Sequence, residues 1–410
     1  MNLDKSRMAV FAAAALLVMT VIGPLAMAMS MTMTMADQDL SDQEGANGQM
    51  DPTGQAGPEG ETVKIGAIYN LVGSQSPLDL PSANGARLAV QEINALGGID
   101  GREVTLVLCD GTSDPATVRG CAEDLIEENV SAMMGLSDTD MVLAALPVAA
   151  GAGVPFVTSG ATSPRLAEEY EGLFLACFGD DVQAAAGAEY AIEMNLSTCA
   201  LLVDGDMEYA RLLAGYFKER YQALGGEIAV EVLVNGSDPG SLILPIDEAG
   251  PDMIYLAAGP DLAAGIVEEV RKAGIEIPVF GGDSLDSPLL KREGTGRIVF
   301  SAHALLDENS SMSGPFVRAY RAEFGHPPEN AFAALGYDAV RLLADAIDRA
   351  GSDDPQAIID ALKNTTEFVG VTGNISYENG RRTPNKGVTM VSLKDGVIEN
   401  SAVVTPAPSI

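Results

Sequence analysis

From Thr62 onward the apolar positions fall into short solid runs, separated by longer stretches in which they recur every three or four residues. VKIGAIY (Val63–Tyr69) is apolar almost throughout, as a strand covered on both faces must be. After a loop of Gly, Ser and Pro, the stretch PSANGARLAVQEINALGG places Ala86, Val90 and Ile93 on one helical face, and Gly97 and Gly98 end that helix. The alternation then predicts a strand at 104–108, a helix at 115–128, a strand at 131–134, a helix at 141–150 and a strand at 154–157. A second series opens after 174–178, with helix 182–195, strand 199–203, helix 209–224, strands 227–234 and 253–256, helix 262–273 and strand 277–280. Beyond it come a strand at 298–302, helices at 315–324, 331–350 and 355–363, and hairpin-like strands at 389–393 and 397–403. Strands separated by helices build parallel, doubly wound sheets, so the fold class is α/β with two such sheets. The default ligand site is the crevice between them, facing the carboxyl ends of the strands.

The first 61 residues follow neither pattern. Lys5 and Arg7, an apolar run from Met8 to Ile22, then Gly23, Pro24 and the small-x-small site Ala26-Met27-Ala28 read as an export signal over residues 1–28. Extended through Met29 the run is nearly long enough to span a bilayer, so an uncleaved membrane tether is the alternative; cleavage and a secreted, extracytoplasmic protein are expected. Residues 29–61, MSMTMTM followed by Asp, Gln, Gly and Pro, contain almost nothing to bury and are expected to be a disordered tether.

Charge narrows the partners. Of the 410 residues, 24 are Lys or Arg and 58 are Asp or Glu, a net charge of −34 that repels nucleic acid and anionic lipid. Lysine is scarce, 8 against 16 arginines, and such a surface suits a saline habitat, where screening weakens self-repulsion. Catalytic signatures are missing: no nucleophile elbow, no phosphate-binding glycine loop, and two histidines, His303 and His326, neither inside a motif and both expected to be structural. No cofactor and no metal is expected. Six N-x-S/T triplets, at Asn129, Asn195, Asn235, Asn309, Asn364 and Asn374, permit glycosylation of an exported chain. Cys177 and Cys199 flank a helix of about 14 residues, roughly 21 Å long, too far apart for a bridge, so Cys109 and Cys121 are the expected pair.

One stretch combines a strand with an open polar loop. GVPFVTSGATSP runs from Gly153 to Pro164; its second half holds only small or hydroxyl side chains, and Pro164 is placed to start a helix. The loop N–H groups with the hydroxyls of Ser159, Thr162 and Ser163 form a seat for an anion or a zwitterion; a simple helix cap is the alternative.

These motifs carry a resemblance. IGAIYNLVG, NGARLAVQEINALGGIDGREVTLVLCD with SDPATV, GVPFVTSGATSP, GGDSLDSP and FGHPPENAFAALGYDAVRLLADAIDRAG, in that order from Thr62 to Asn400, resemble the extracellular solute-binding proteins of the branched-chain amino acid (Leu/Ile/Val) type. The resemblance implies the type I periplasmic binding fold: two lobes, joined by three crossing strands, that close on a small-molecule ligand and deliver it to the membrane permease and ATPase of an ABC importer. Lobe 1 would be 62–176 plus 303–368, and lobe 2 would be 177–302 plus 369–403. The serine that holds the ligand carboxylate falls on Ser137 or its neighbour Asp138 in GLSDTD, a loop one residue shorter than the common form. A backbone carbonyl and a threonine that hold the ligand fall on Gly160 and Thr162, a tyrosine on Tyr209, and the acid that pairs with the ammonium on Asp283. An aromatic that covers the ligand in the family falls on Gly259, so the side-chain pocket is wider or is filled by something else. The implied function is capture of an amino acid or related zwitterion; a sensor module for an amide or small organic acid is the alternative, and a cleft hydrolase a more distant one. Asp283 also has a plain reading, as a cap for the segment from Leu285.

Overall fold

The computed structural model describes residues 62–234 and 239–406. The expected export signal and tether, and the Asn235 triplet, lie outside those residues.

The first lobe starts with β1 (Val63–Tyr69), α1 (Ser76–Ala95), β2 (Val104–Asp110), α2 (Pro115–Glu127), β3 (Ala132–Gly135), α3 (Thr139–Ala152), β4 (Phe156–Thr158), α4 (Leu166–Glu169) and β5 (Leu173–Leu175). The second lobe continues with α5 (Asp180–Glu193), β6 (Thr198–Asp204), α6 (Glu208–Ala223), β7 (Glu227–Val234), α7 (Ile243–Ala249), β8 (Met253–Ala257), α8 (Pro260–Lys272), β9 (Val279–Gly281) and β10 (Arg297–Ala302). The chain returns to the first lobe for α9 (Gly314–Phe324), α10 (Phe332–Ala350), α11 (Pro355–Lys363) and the small hairpin β11 (Phe368–Gly370) and β12 (Gly373–Ile375). It ends in the second with β13 (Val388–Lys394) and β14 (Val397–Val404).

The first sheet is parallel throughout, in the order β2-β1-β3-β4-β5. The second runs β14-β13-β10-β9-β8-β6-β7, parallel from β10 to β7 and antiparallel at the β13–β14 end. In each, strand order reverses beside the first strand of the lobe, between β1 and β3 and between β6 and β8. Those reversals open a crevice at the carboxyl ends. Alternation fills both faces: Ile65, Ala67 and Tyr69 of β1 enter one apolar cluster with α1, α9, α10 and α11, while Ile68 enters another with α2 and α3. Helices α1 and α10 touch backbone to backbone, because a Cβ on Gly85 would lie 1.8 Å from the Ala333 carbonyl oxygen and one on Gly336 2.0 Å from that of Ser82.

The structure differs from the sequence expectation at a few places. Helix α1 starts at Ser76, ahead of the apolar stripe, since Pro77 sits in its first turn where no N–H bond is lost. Pro164 opens no full helix, only a turn and the single-turn α4. Helix α7 and the strands of the β11–β12 hairpin are too short to show a period. The sequence expectation puts the last crossing at 368/369, but Val371, Ile375 and Tyr377 pack into the first lobe's core, and the Tyr377 hydroxyl donates to the Leu175 carbonyl at 2.8 Å. The passage to β13 therefore follows Tyr377. Cys109 and Cys121 form a disulfide with Cα atoms 5.7 Å apart, and Cys177 and Cys199 are buried thiols, as expected.

Candidate functional site

The loops at the two strand-order reversals face each other across the lobes. After β1 come Gln75 and Leu78, after β3 Ser137 and Asp138; opposite them stand Met207 and Tyr209 after β6, Gly259 and Pro260 after β8, and Asp283 and Ser284 after β9. Phe332, at the start of α10, closes one side. The space between these walls is about 10 Å3, roughly what a single water needs. A far larger opening of about 620 Å3 lies on the flank between Glu168, Arg220 and Arg382, but it holds none of the expected site residues. Size does not identify the site here; converging polar groups do.

The first wall is built on buried Asp79. Its carboxylate accepts from the Asn70 backbone at 2.9 Å, the Asn70 amide at 2.7 Å and the Ser137 backbone at 2.8 Å, so it ties the β1–α1 and β3–α3 loops together. Burial pushes its pKa up to about 6 against those donors. The backbone bends sharply there: Gly135 and the buried Leu136 have φ of +119° and +56°, and left-handed backbone at a bulky residue persists only where the surroundings hold it. The bend delivers Ser137, whose buried Oγ leans toward Asp79 but makes no hydrogen bond of good geometry. Asp138 is committed differently: it caps α3 by accepting from Met141 N at 3.0 Å, and Gln75 Nε2 lies 3.4 Å from its other oxygen. Burial, and then repulsion from Asp140, push Asp138 up to about 7. Of the two candidates for the serine position, Ser137 is the one with a spare hydroxyl.

On the second wall the acid already has several partners. Asp283 Oδ1 accepts from Tyr209 OH at 2.9 Å and from Gln183 Nε2 at 3.0 Å, and Oδ2 lies 2.9 Å from His303 Nε2. The side chain therefore caps nothing beyond Leu285, and the plain reading of Asp283 falls away. The sequence motifs do not mark His303 or Gln183 as site residues; His303 directly follows β10 at a crossing between the lobes and Gln183 lies in the first turn of α5 soon after another, and nearness to the crossings is the one signal that would have found them. The His303 ring stacks on Phe178 at 4.1 Å and meets Phe332 edge-on at 5.4 Å, and its Nδ1 has no hydrogen-bond partner among the described residues.

The hydroxyl-rich loop is used internally. Ser159 N donates to the Gly135 carbonyl and Gly160 N to that of Leu136, at the end of β3 and just past it, while Ala161 N donates to Thr158 Oγ1 within its own segment, so these expected bare N–H groups are occupied. Ser159 Oγ pairs with Ser82 Oγ at 3.2 Å, and Thr162 Oγ1 donates to Asp180 Oδ1 at 2.7 Å. Neither lines the cavity; Gly160 lies behind it, where a Cβ would come within 2.9 Å of Ser137 Oγ and 2.7 Å of the Phe332 ring. Asp180, fully buried beside Asp283, is pushed up to about 8 chiefly by desolvation. Gln183 Nε2 connects the two carboxylates, 2.9 Å from Asp180 Oδ1. Met207 packs beside Gly259, its sulfur 3.2 Å from where a Cβ at that position would lie.

Among the described residues no helix is long and apolar enough to cross a membrane, and no group of three or more His, Cys, Asp or Glu is arranged to hold a metal ion.

Residues 62–397 match the family described as periplasmic binding protein. The chain is 26% identical over 340 residues to "Leu/Ile/Val-binding protein homolog 1" of Brucella abortus (strain 2308), covering 80% of this chain and 91% of that protein. Among solved structures, the branched-chain amino acid transporter substrate-binding protein LivJ of Streptococcus pneumoniae, in complex with isoleucine, is 30% identical with a TM-score of 0.78, covering 84% of this chain and all of that one. The leucine-binding protein LivK of Thermotoga maritima is 28% identical with a TM-score of 0.78, covering 84% and 99%.

Proposed function

The chain belongs to the periplasmic binding protein family, and from that premise we propose that it captures an aliphatic L-amino acid between its lobes and hands it to the permease and ATPase of an ABC importer. Membership implies work outside the cytoplasm, and the Cys109–Cys121 disulfide suits an oxidising compartment. The observation that carries the ligand reading is the pairing of walls: a carboxylate on the second lobe faces a spare hydroxyl on the first, across a space bounded by Leu78, Met207, Pro260 and Phe332.

A zwitterion placed there has both ends met. Asp283 has three of its roughly four lone-pair sites filled, which leaves one for an ammonium. Ser137 Oγ donates to the carboxylate. Tyr209, His303 and Gln183 fix the Asp283 carboxylate in place, so little ordering remains to be done at binding. Ser159, Gly160 and Thr162 act one layer back, and Asp138 lines the cavity while its side chain caps α3 and so steadies the loop that presents Ser137. A cleft of about 10 Å3 admits an amino acid only when the lobes part, so binding requires hinge opening and closure. Catalysis plays no role in this reading; the family is one of binding proteins.

A thermal-shift screen with L-leucine, L-isoleucine, L-valine, their amides and small organic acids tests it. A ligand that binds only the folded form raises the melting temperature. The amino acids should give the largest rise; a rise with organic acids alone would replace the amino acid by a carboxylate ligand.

A further inference from the structure

Two of the helices that open onto the cavity without a capping side chain of their own are held by a carboxylate from elsewhere. Helix α6 begins after Met207 and α10 after Ala331, and neither residue offers a side-chain cap, at positions where Ser, Thr, Asp or Asn ordinarily accepts an orphan N–H. Both caps come from the opposite lobe. Asp140, in α3 of the first lobe, accepts from the Glu208 backbone through both oxygens, at 3.1 and 3.0 Å, and from the Tyr209 backbone at 3.4 Å. Asp286, in the second lobe just past the turn Asp283–Leu285, accepts from the Ala331 backbone at 2.9 Å. Lys291, also in the second lobe, pairs with Asp286 at 2.6 Å and donates to the Glu329 carbonyl of the first lobe at 2.7 Å.

Each held N-terminus carries a wall of the cavity. Tyr209 follows Glu208, and Phe332 follows Ala331; both line the space between the lobes. A carboxylate at a helix N-terminus is favoured by the N–H groups and by the helix dipole together. When the lobes part, both N-termini lose this acceptor, and neither Met207 nor Ala331 supplies a side-chain cap in its place.

We propose that Asp140 and Asp286 are reciprocal trans-lobe caps: positioning residues that fix α6 and α10, and with them Tyr209 and Phe332, only when the lobes are shut. Closure and grip on the ligand are then one event. The ligand part rests on the reading under Proposed function; the caps themselves do not.

The test uses the full chain with spin labels at Val72→Cys and Asp261→Cys, exposed positions at the cleft rim on opposite lobes. Pulsed dipolar spectroscopy reads the interlobe distance without and with L-leucine, and stopped flow reads association and release of L-leucine. Asp140→Ala and Asp286→Ala should each lengthen the mean distance and speed release by about fivefold, with association unchanged, the loss expected for one capping side chain. Together they should approach about 25-fold if the caps act independently. Asp140→Asn, whose amide oxygen still accepts, should stay near the parent in both readouts. A cap with a merely local role would lower the melting temperature without moving the distance, and an unchanged distance distribution in the double variant overturns the proposal. If the parent does not respond to L-leucine, L-isoleucine or L-valine, the amino acid reading falls while the distances alone still decide the caps.

Discussion

The two walls of the cavity are made of similar residues and differ in how their polar atoms are engaged. On the first, Ser137 keeps a buried hydroxyl without a well-formed partner, while the acid behind it, Asp79, is held by three donors. On the second, Asp283 is held by Tyr209, Gln183 and His303. The first wall therefore offers an adaptable donor, and the second a fixed charge. A buried charge without partners is expensive, whereas a buried hydroxyl without one is tolerable, which is why the carboxylate arrives pre-paired and the hydroxyl does not. Removing a group from either wall should thus have unequal effects.

The largest effect is expected on the charged side. Asp283→Asn strands the ligand ammonium and breaks the match to His303; losing one member of such a pair typically costs about 2 to 5 kcal/mol, roughly 30-fold to a few thousand-fold in affinity. Calorimetry with L-leucine reads it. Affinity equal to the parent's would show that the ligand carries no cation at that point, and the contrast between the walls would lose its meaning.

Behind the same wall, Asp180 predicts a pH dependence. Its ordinary value of 3.8 rises to about 8, so between roughly pH 4 and pH 8 the folded state keeps a proton that the unfolded chain has released. Stability from this group therefore falls as pH rises through that window. Asp79 and Asp138, raised to about 6 and 7, act in the same direction over narrower windows. Asp180→Asn cannot ionise, so its melting temperature should gain on the parent's as pH rises from 5 to 9. A constant difference across that range would show that Asp180 is ionised in the folded protein throughout.

On the uncharged side the expectation is smaller. Ser137→Ala removes one hydrogen bond worth about 0.5 to 1.5 kcal/mol, or roughly twofold to tenfold in affinity for L-leucine. A loss as large as that of Asp283→Asn would make the two walls equals.

The smallest effect on binding is expected at Thr162, whose hydroxyl serves Asp180 rather than the cavity. Thr162→Val should lower unfolding free energy by about 1 kcal/mol while leaving the affinity for L-leucine within about twofold. Denaturant titration beside calorimetry separates the two; weakened binding with unchanged stability would return Thr162 to the ligand's own shell.

Much of the fold was legible along the chain. Solid apolar runs and helical stripes from Val63 to Leu393 marked the strands and helices of two doubly wound sheets, because covering a parallel sheet on both faces demands that pattern. Helix-and-strand spacing separated Cys177 from Cys199, and the disulfide went to Cys109 and Cys121. The motifs also brought Ser137, Asp138, Tyr209 and Asp283 to one cavity. What the sequence could not decide is which polar atoms are already used. Thr162 and Ser159 look as open to a ligand as Ser137 does, yet Asp180 and Ser82, 18 and 77 residues away in the chain, take their hydroxyls. The trans caps depend on approach of two lobes: a Met at the start of α6 reads locally as a missing cap, and only Asp140, brought in from another sheet, completes it. Periodicity is a local property and survives in the sequence, whereas hydrogen-bond partnership between distant loops is settled by packing.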